Sequence, residues 1–134
     1  MHTHRVVAAV LLLAAGAACA PARADPAGPR TVEIVLHHSR FEPSTVQANP
    51  DETLEFVIVN TDPIDHEFIV GDDSVQDLHE RGTEAHHDPR PGEVTVLAGE
   101  TVTTTFTFGE QDLLFGCHVP GHYAYGMRGV VLVG

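Results

Sequence analysis

The stretch Cys117-His118-Val119-Pro120-Gly121-His122-Tyr123-Ala124-Tyr125-Gly126-Met127 puts a thiol, imidazoles and a thioether into eleven residues, with C-x4-H-x4-M spacing. A soft thiolate with imidazole nitrogens and a distant thioether is the donor set of an electron-transfer copper site. That set needs a second imidazole from elsewhere in the chain. His66 is the candidate, because it opens a strand after the turn Asp62-Pro63-Ile64-Asp65 and has the inward parity of Phe68 and Val70. Pro120-Gly121 turns the loop back so that His122 can face a metal held by Cys117. Gly126 permits a tight backbone before Met127. A short loop that fixes three donors changes little between Cu(II) and Cu(I), which fast electron transfer requires. Each residue also has a plainer reading: a buried thiol, a polar loop residue, a core-filling methionine and a satisfied core histidine.

The other histidines carry weaker signals. His118 has the opposite strand parity to Cys117 and is expected to face away from a metal. Tyr123 and Tyr125 read as rim or packing residues. Val119, Pro120, Gly121 and Tyr123 form a candidate apolar rim around the exposed edge of His122. His79, His86 and His87 stand among Glu80, Glu84 and Asp88, where imidazoles and carboxylates either form a solvated loop or bind a second Cu(II) or Zn(II). His37-His38 reads as a strand end.

The elements that must position these residues are strands. Val32, Ile34 and Leu36 alternate with Thr31, Glu33 and Val35, and Leu54–Val59 is apolar enough to be central. His66–Val70, Val94–Val96, Thr101–Phe108, Leu113–Cys117 and Val130–Val133 follow. Seven or so short strands separated by turn signals predict an all-β, Greek-key antiparallel β-sandwich. The polar, His-rich insert at 71–92 is the exception, with a short helix expected over Ser74–Arg81 and Ser74 as its N-cap.

Residues 1–24 read as a secretory signal peptide: a short polar start, an apolar run from Val6 to Ala18, then small residues. Two processing routes stay open. Cleavage after Ala24 leaves a domain over 25–134, whereas Gly16-Ala17-Ala18-Cys19 resembles a lipoprotein signal that would anchor the chain through lipidated Cys19. Either route leaves Cys117 without a disulfide partner, and a metal would protect a lone exported thiol from oxidation. Of 134 residues, 19 are acidic and 7 are arginine, with no lysine, for a net charge of −12. Cleavage after Ala24 removes two arginines and no acid, leaving −14. Such a surface repels nucleic acid and anionic lipid and steers a basic partner. No transmembrane span is expected in the exported chain, which is expected to be a monomer.

Over nearly all of 31–134 the sequence resembles the cupredoxins, the small blue-copper proteins related to plastocyanin. The resemblance lies in Phe41-Glu42-Pro43, the Leu54–Asn60 strand, His66-Glu67-Phe68 and the C-x4-H-x4-M loop. It implies one type 1 copper held by His66, Cys117, His122 and Met127, and a redox partner docking at the rim. The insert and the Pro-Gly-His-Tyr loop look most like bacterial periplasmic cupredoxins linked to copper tolerance. In many cupredoxins a small polar residue after the first histidine ties the two ligand loops together; here Glu67 stands there, so the tie must differ. Two functions follow, an electron carrier and a copper buffer with a second His-rich site. An enzyme is disfavoured: residues 25–134 hold no His-x-His pair for a trinuclear cluster, and the loop holds one cysteine, not two.

Overall fold

A computed structural model describes residues 28–82 and 88–134. In chain order the described elements are β1 (Arg30–Leu36), β2 (Phe41–Glu42), β3 (Thr45–Ala48), β4 (Thr53–Asn60), β5 (His66–Gly71), α1 (Asp73–Glu80), β6 (Glu93–Val96), β7 (Thr101–Thr107), β8 (Leu113–Gly116) and β9 (Arg128–Val133). One sheet runs β2-β1-β4-β7 and the other β3-β9-β8-β5-β6. The expected all-β sandwich is therefore present. The expected signal peptide and Cys19 lie outside the described residues.

Period-two alternation explains the strands. Leu54, Phe56, Ile58 and Asn60 of β4 are buried while their neighbours are half-buried, as a pleated strand with one face on the core requires. β4 sits inside its sheet, between β1 and β7. Two pairings depart from the antiparallel expectation. β1 runs parallel to β4, with Ile34 opposite Ile58, and β3 runs parallel to β9, with Val46 opposite Val131. Alternation has the same period in both kinds of pair, so only the chain's path between the sheets reveals them. β2 and β3 were not anticipated; β2 has only two residues, and β3 begins after two more.

Aromatic rings join the two sheets. Phe56 of β4 packs on Phe68 of β5 at 5.1 Å between centroids, and Phe41 of β2 meets Phe115 of β8 edge-on at 5.2 Å. Phe68 and Phe115 also touch, at 5.4 Å. Such pairs contribute roughly 0.5–1.5 kcal/mol each beyond burial. They fix the antiparallel register of β5 and β8 that sets Ile69 opposite Gly116. The same register brings His66 and Glu67, at the start of β5, alongside Cys117, just past the end of β8.

The insert folds partly as expected. The helix runs Asp73–Glu80, and its N-cap is Asp72, not Ser74. Asp72 has extended backbone and accepts the Val75 N–H at 3.0 Å, while the Ser74 hydroxyl donates to the Asp72 carboxylate at 2.6 Å. An ionised carboxylate is the stronger acceptor for orphan N–H groups at a helix start, and the neighbouring hydroxyl supports it. Gln76, 2% exposed, pins α1 to the sheet by donating to the carbonyls of Ile69 (3.1 Å) and Gly71 (3.4 Å).

Candidate metal centre

Three donors converge at one end of the sandwich. The Cys117 Sγ lies 3.4 Å from His122 Nδ1 and 3.8 Å from His66 Nδ1, and the two imidazole nitrogens are 3.3 Å apart. Metal bonds of about 2.0 Å to nitrogen and about 2.3 Å to sulfur, arranged trigonally, place such atoms roughly 3.7 Å and 3.5 Å apart. The donor triangle thus fits a single metal ion in its middle. Met127 is fully buried. Its N–H donates to the His122 carbonyl (2.9 Å) and its carbonyl accepts from the Cys117 N–H (3.1 Å), so the loop closes on itself around these residues. Gly121 and Gly126, at φ +87° and +97°, supply the left-handed backbone that this closure needs.

The surroundings set the protonation of each donor. Burial pushes the Cys117 thiol up to about 11, against the pull of the Glu67 and Val119 N–H groups. The Glu67 N–H donates to the sulfur at 3.3 Å. Burial, followed by the neighbouring His66, holds His122 below the ordinary imidazole value, so it is neutral at pH 7. His66 is fully buried, and its Nε2 meets Asp62 Oδ2 at 2.9 Å. Burial by itself would raise the Asp62 carboxyl, but the Ser39 N–H, the His66 ring and the His38 N–H outweigh it and hold Asp62 below its ordinary value. An ionised carboxylate only accepts. His66 Nε2 therefore donates to Asp62, and its Nδ1 faces the thiol.

The tie between the ligand loops differs from the small polar residue of many cupredoxins, as expected. The Glu67 carboxylate accepts the His118 N–H at 3.2 Å, and its backbone N–H holds Cys117. His118 turns away from the donor triangle toward α1, also as expected. Its Nε2 lies 2.8 Å from Gln76 Oε1, and its Nδ1 lies 3.0 Å from Glu80. Burial lowers the His118 value, partly offset by Glu80. Tyr123 stacks on the His118 ring at 4.7 Å and so is packing, while Tyr125 is 82% exposed.

His79 lies in the last turn of α1, its Nδ1 2.9 Å from the Val75 carbonyl, its Nε2 3.7 Å from Glu93 and its ring 5.6 Å from His118. His86 and His87 lie outside the described residues. Among the described residues, the one cluster of three or more His, Cys, Asp or Glu donors close enough to share an ion is His66, Cys117 and His122. His37 sits at the strand end, as expected, with Nδ1 3.0 Å from the Thr61 hydroxyl. Sequence reasoning missed Asp62, Gln76 and Glu80 as partners of the site. For Asp62 a signal existed, an acid four residues before a candidate ligand in a turn.

Comparison with known proteins agrees with this geometry. Residues 32–134 match the copper binding proteins of the plastocyanin/azurin family. The chain is 35% identical to a copper-resistant cuproprotein CopI of Rubrivivax gelatinosus, over 78% of this chain and 66% of that protein. It is 29% identical to a copper-resistant cuproprotein CopI of Pseudomonas aeruginosa, over 84% of this chain and 80% of that one. Among solved structures, auracyanin B superposes with a TM-score of 0.66 at 20% identity, covering 83% of this chain and 93% of that one. Auracyanin A of Chloroflexus aurantiacus superposes with a TM-score of 0.63 at 22% identity, covering 80% and 100%. These two likenesses concern the fold.

Proposed function

Because the chain is a member of the plastocyanin/azurin family of copper-binding proteins, we propose that it is an exported type 1 copper protein that carries single electrons through a mononuclear site held by His66, Cys117, His122 and Met127. The observation that carries this reading is the triangle of Cys117 Sγ, His66 Nδ1 and His122 Nδ1, all within 4.8 Å of one another. Copper bound there supplies one-electron redox chemistry between Cu(II) and Cu(I). The part of the chain is to keep the donors still. The Glu67 N–H fixes the thiolate, Asp62 fixes the His66 ring, and the backbone bonds of Met127 fix the loop. Fully buried Cys117, His66 and Met127 exclude water, while half-buried His122 lies beside exposed Pro120 and Tyr125, where a partner can approach. The net charge of −12 favours a partner with a basic docking face. Export rests on the reading of residues 1–24, and no helix among the described residues is long and apolar enough to cross a membrane.

A second reading is copper buffering for copper tolerance. It is supported by the relatives named copper-resistant cuproproteins and by His79 standing beside His118 and Glu93 in the last turn of α1. Titration of the purified protein with Cu(II), followed by visible absorption and electron spin resonance, separates the two. An intense thiolate-to-copper band that saturates at one equivalent and vanishes in Cys117→Ser supports the carrier. A further, weakly absorbing copper that is lost in His79→Ala favours buffering. Absence of the intense band would overturn the four-ligand assignment.

A further inference from the structure

Behind His66 lies a built polar network that the four ligands do not account for. Asp62, 7% exposed, receives three hydrogen bonds: from the His38 N–H at 2.7 Å, from the Ser39 N–H at 2.8 Å and from His66 Nε2 at 2.9 Å. His38 and Ser39 hold φ of +49° and +51°, a left-handed conformation uncommon outside glycine. Their N–H groups are thereby aimed at one carboxylate. Asp62 is held in turn by Asn60, which is 1% exposed and accepts the Asp62 N–H at 3.0 Å. The Asn60 amide nitrogen donates to the carbonyls of Ile64, Val96 and Leu97 at 2.8, 3.0 and 3.1 Å. Two backbone N–H groups thus fix the carboxylate and Asn60 fixes the backbone that carries it, and the carboxylate's remaining partner is the candidate ligand.

We propose that Asp62 is a positioning residue of the copper centre: its carboxylate orients His66 through the outer ring nitrogen and biases the site toward Cu(II) over Cu(I). This inference rests on His66 being a copper ligand. The physical argument has two parts. A carboxylate that only accepts keeps the proton on Nε2 and leaves the Nδ1 lone pair facing Cys117 and His122, which fixes tautomer and ring plane together. The same negative charge makes the imidazole a stronger donor, and the more highly charged oxidation state gains more from it. A neutral acceptor behind the ring, such as a backbone carbonyl, would orient it without the second effect.

The test compares wild type with Asp62→Asn, Asp62→Ala and Asp62→Glu in the copper-loaded protein. Reduction potential and the electron spin resonance spectrum are measured beside the urea unfolding midpoint. Removing the charge is expected to lower the Cu(II)-to-Cu(I) affinity ratio at least tenfold, a rise of about 59 mV for a one-electron couple. Asp62→Glu keeps the charge and should recover at least half of that shift. A purely structural Asp62 would lower the unfolding midpoint and leave the potential unchanged in Asp62→Asn, which would overturn the proposal. Should the uncharged variants fail to fold, nitrogen-15 and proton resonance of the wild-type Cu(I) protein still tests it. A downfield, slowly exchanging proton on His66 Nε2 is expected. A His66 that binds metal through Nε2, or that lacks this proton, refutes it. A wild type without the thiolate-to-copper band would instead sink the ligand assignment itself, so the two failures are distinguishable.

Discussion

Copper affinity should rise about tenfold per pH unit from neutrality to pH 10, because the metal must displace the proton of Cys117. The thiol is fully buried, and burial pushes it up to about 11, more than the Glu67 and Val119 N–H groups pull it down. At pH 7 it lies about four units below that value. At about 1.36 kcal/mol per unit, deprotonation withholds about 5 kcal/mol from binding, or roughly 10⁴ in apparent affinity. The sign follows from which form binds: the thiolate is the ligand and the thiol is not, so acid weakens binding and base strengthens it. His122 is held below the ordinary imidazole value, first by burial and then by His66. It therefore gives up no proton near pH 8, and the dependence steepens only once the pH falls to its lowered value. Competition against a chelator of known protonation behaviour, between pH 7 and 9, measures the slope. Proton release on metal addition in weak buffer gives the stoichiometry directly, with one proton per copper expected. Affinity flat over that range, or release of less than half a proton, would mean the thiol ionises before metal arrives and would refute the role given to burial.

Two further outcomes test the framework around the donors. Phe68→Ala should destabilise the metal-free protein by about 3–5 kcal/mol, read from urea unfolding, since the fully buried ring bridges Phe56 and Phe115. It should also weaken copper retention, because it loosens the strands that bring His66 and Cys117 together. Met127→Leu, close to volume-conserving at a fully buried position, should cost less than about 1.5 kcal/mol in stability. With Met127 as the proposed fourth ligand, the variant should keep the intense band and raise the reduction potential, because losing a weak donor disfavours the more charged Cu(II).

The loop from Cys117 to Met127 was legible because its geometry is local. Its donors lie within eleven residues, and the turns at Gly121 and Gly126 depend on residues inside the same stretch. His66 was legible for another reason: strand parity with Phe68 put it on the core face, and the structure finds all three residues on that face buried. The strands themselves could be read from alternation, and Leu54–Val59 from its apolar content. What alternation cannot express is which strand lies beside which, so the parallel pairs β1–β4 and β3–β9 were misjudged. The helix N-cap was misplaced by two residues because Asp72 and Ser74 are both good caps, and only the extended backbone at Asp72 selects between them.

The sequence by itself determined the donor types, their spacing in the loop and the sandwich class, since each follows from residue chemistry and short-range periodicity. Only the tertiary structure decided the partners of those donors. Glu67 holds Cys117 from 50 positions away, Asp62 receives the His38 N–H across 24, and His118 pairs with Gln76 across 42. Such contacts depend on sheet register and on where an inserted helix lands, and no local pattern encodes either. The histidines were readable as candidate metal ligands, but the carboxylate that fixes the buried one came into view only when the chain had closed around it.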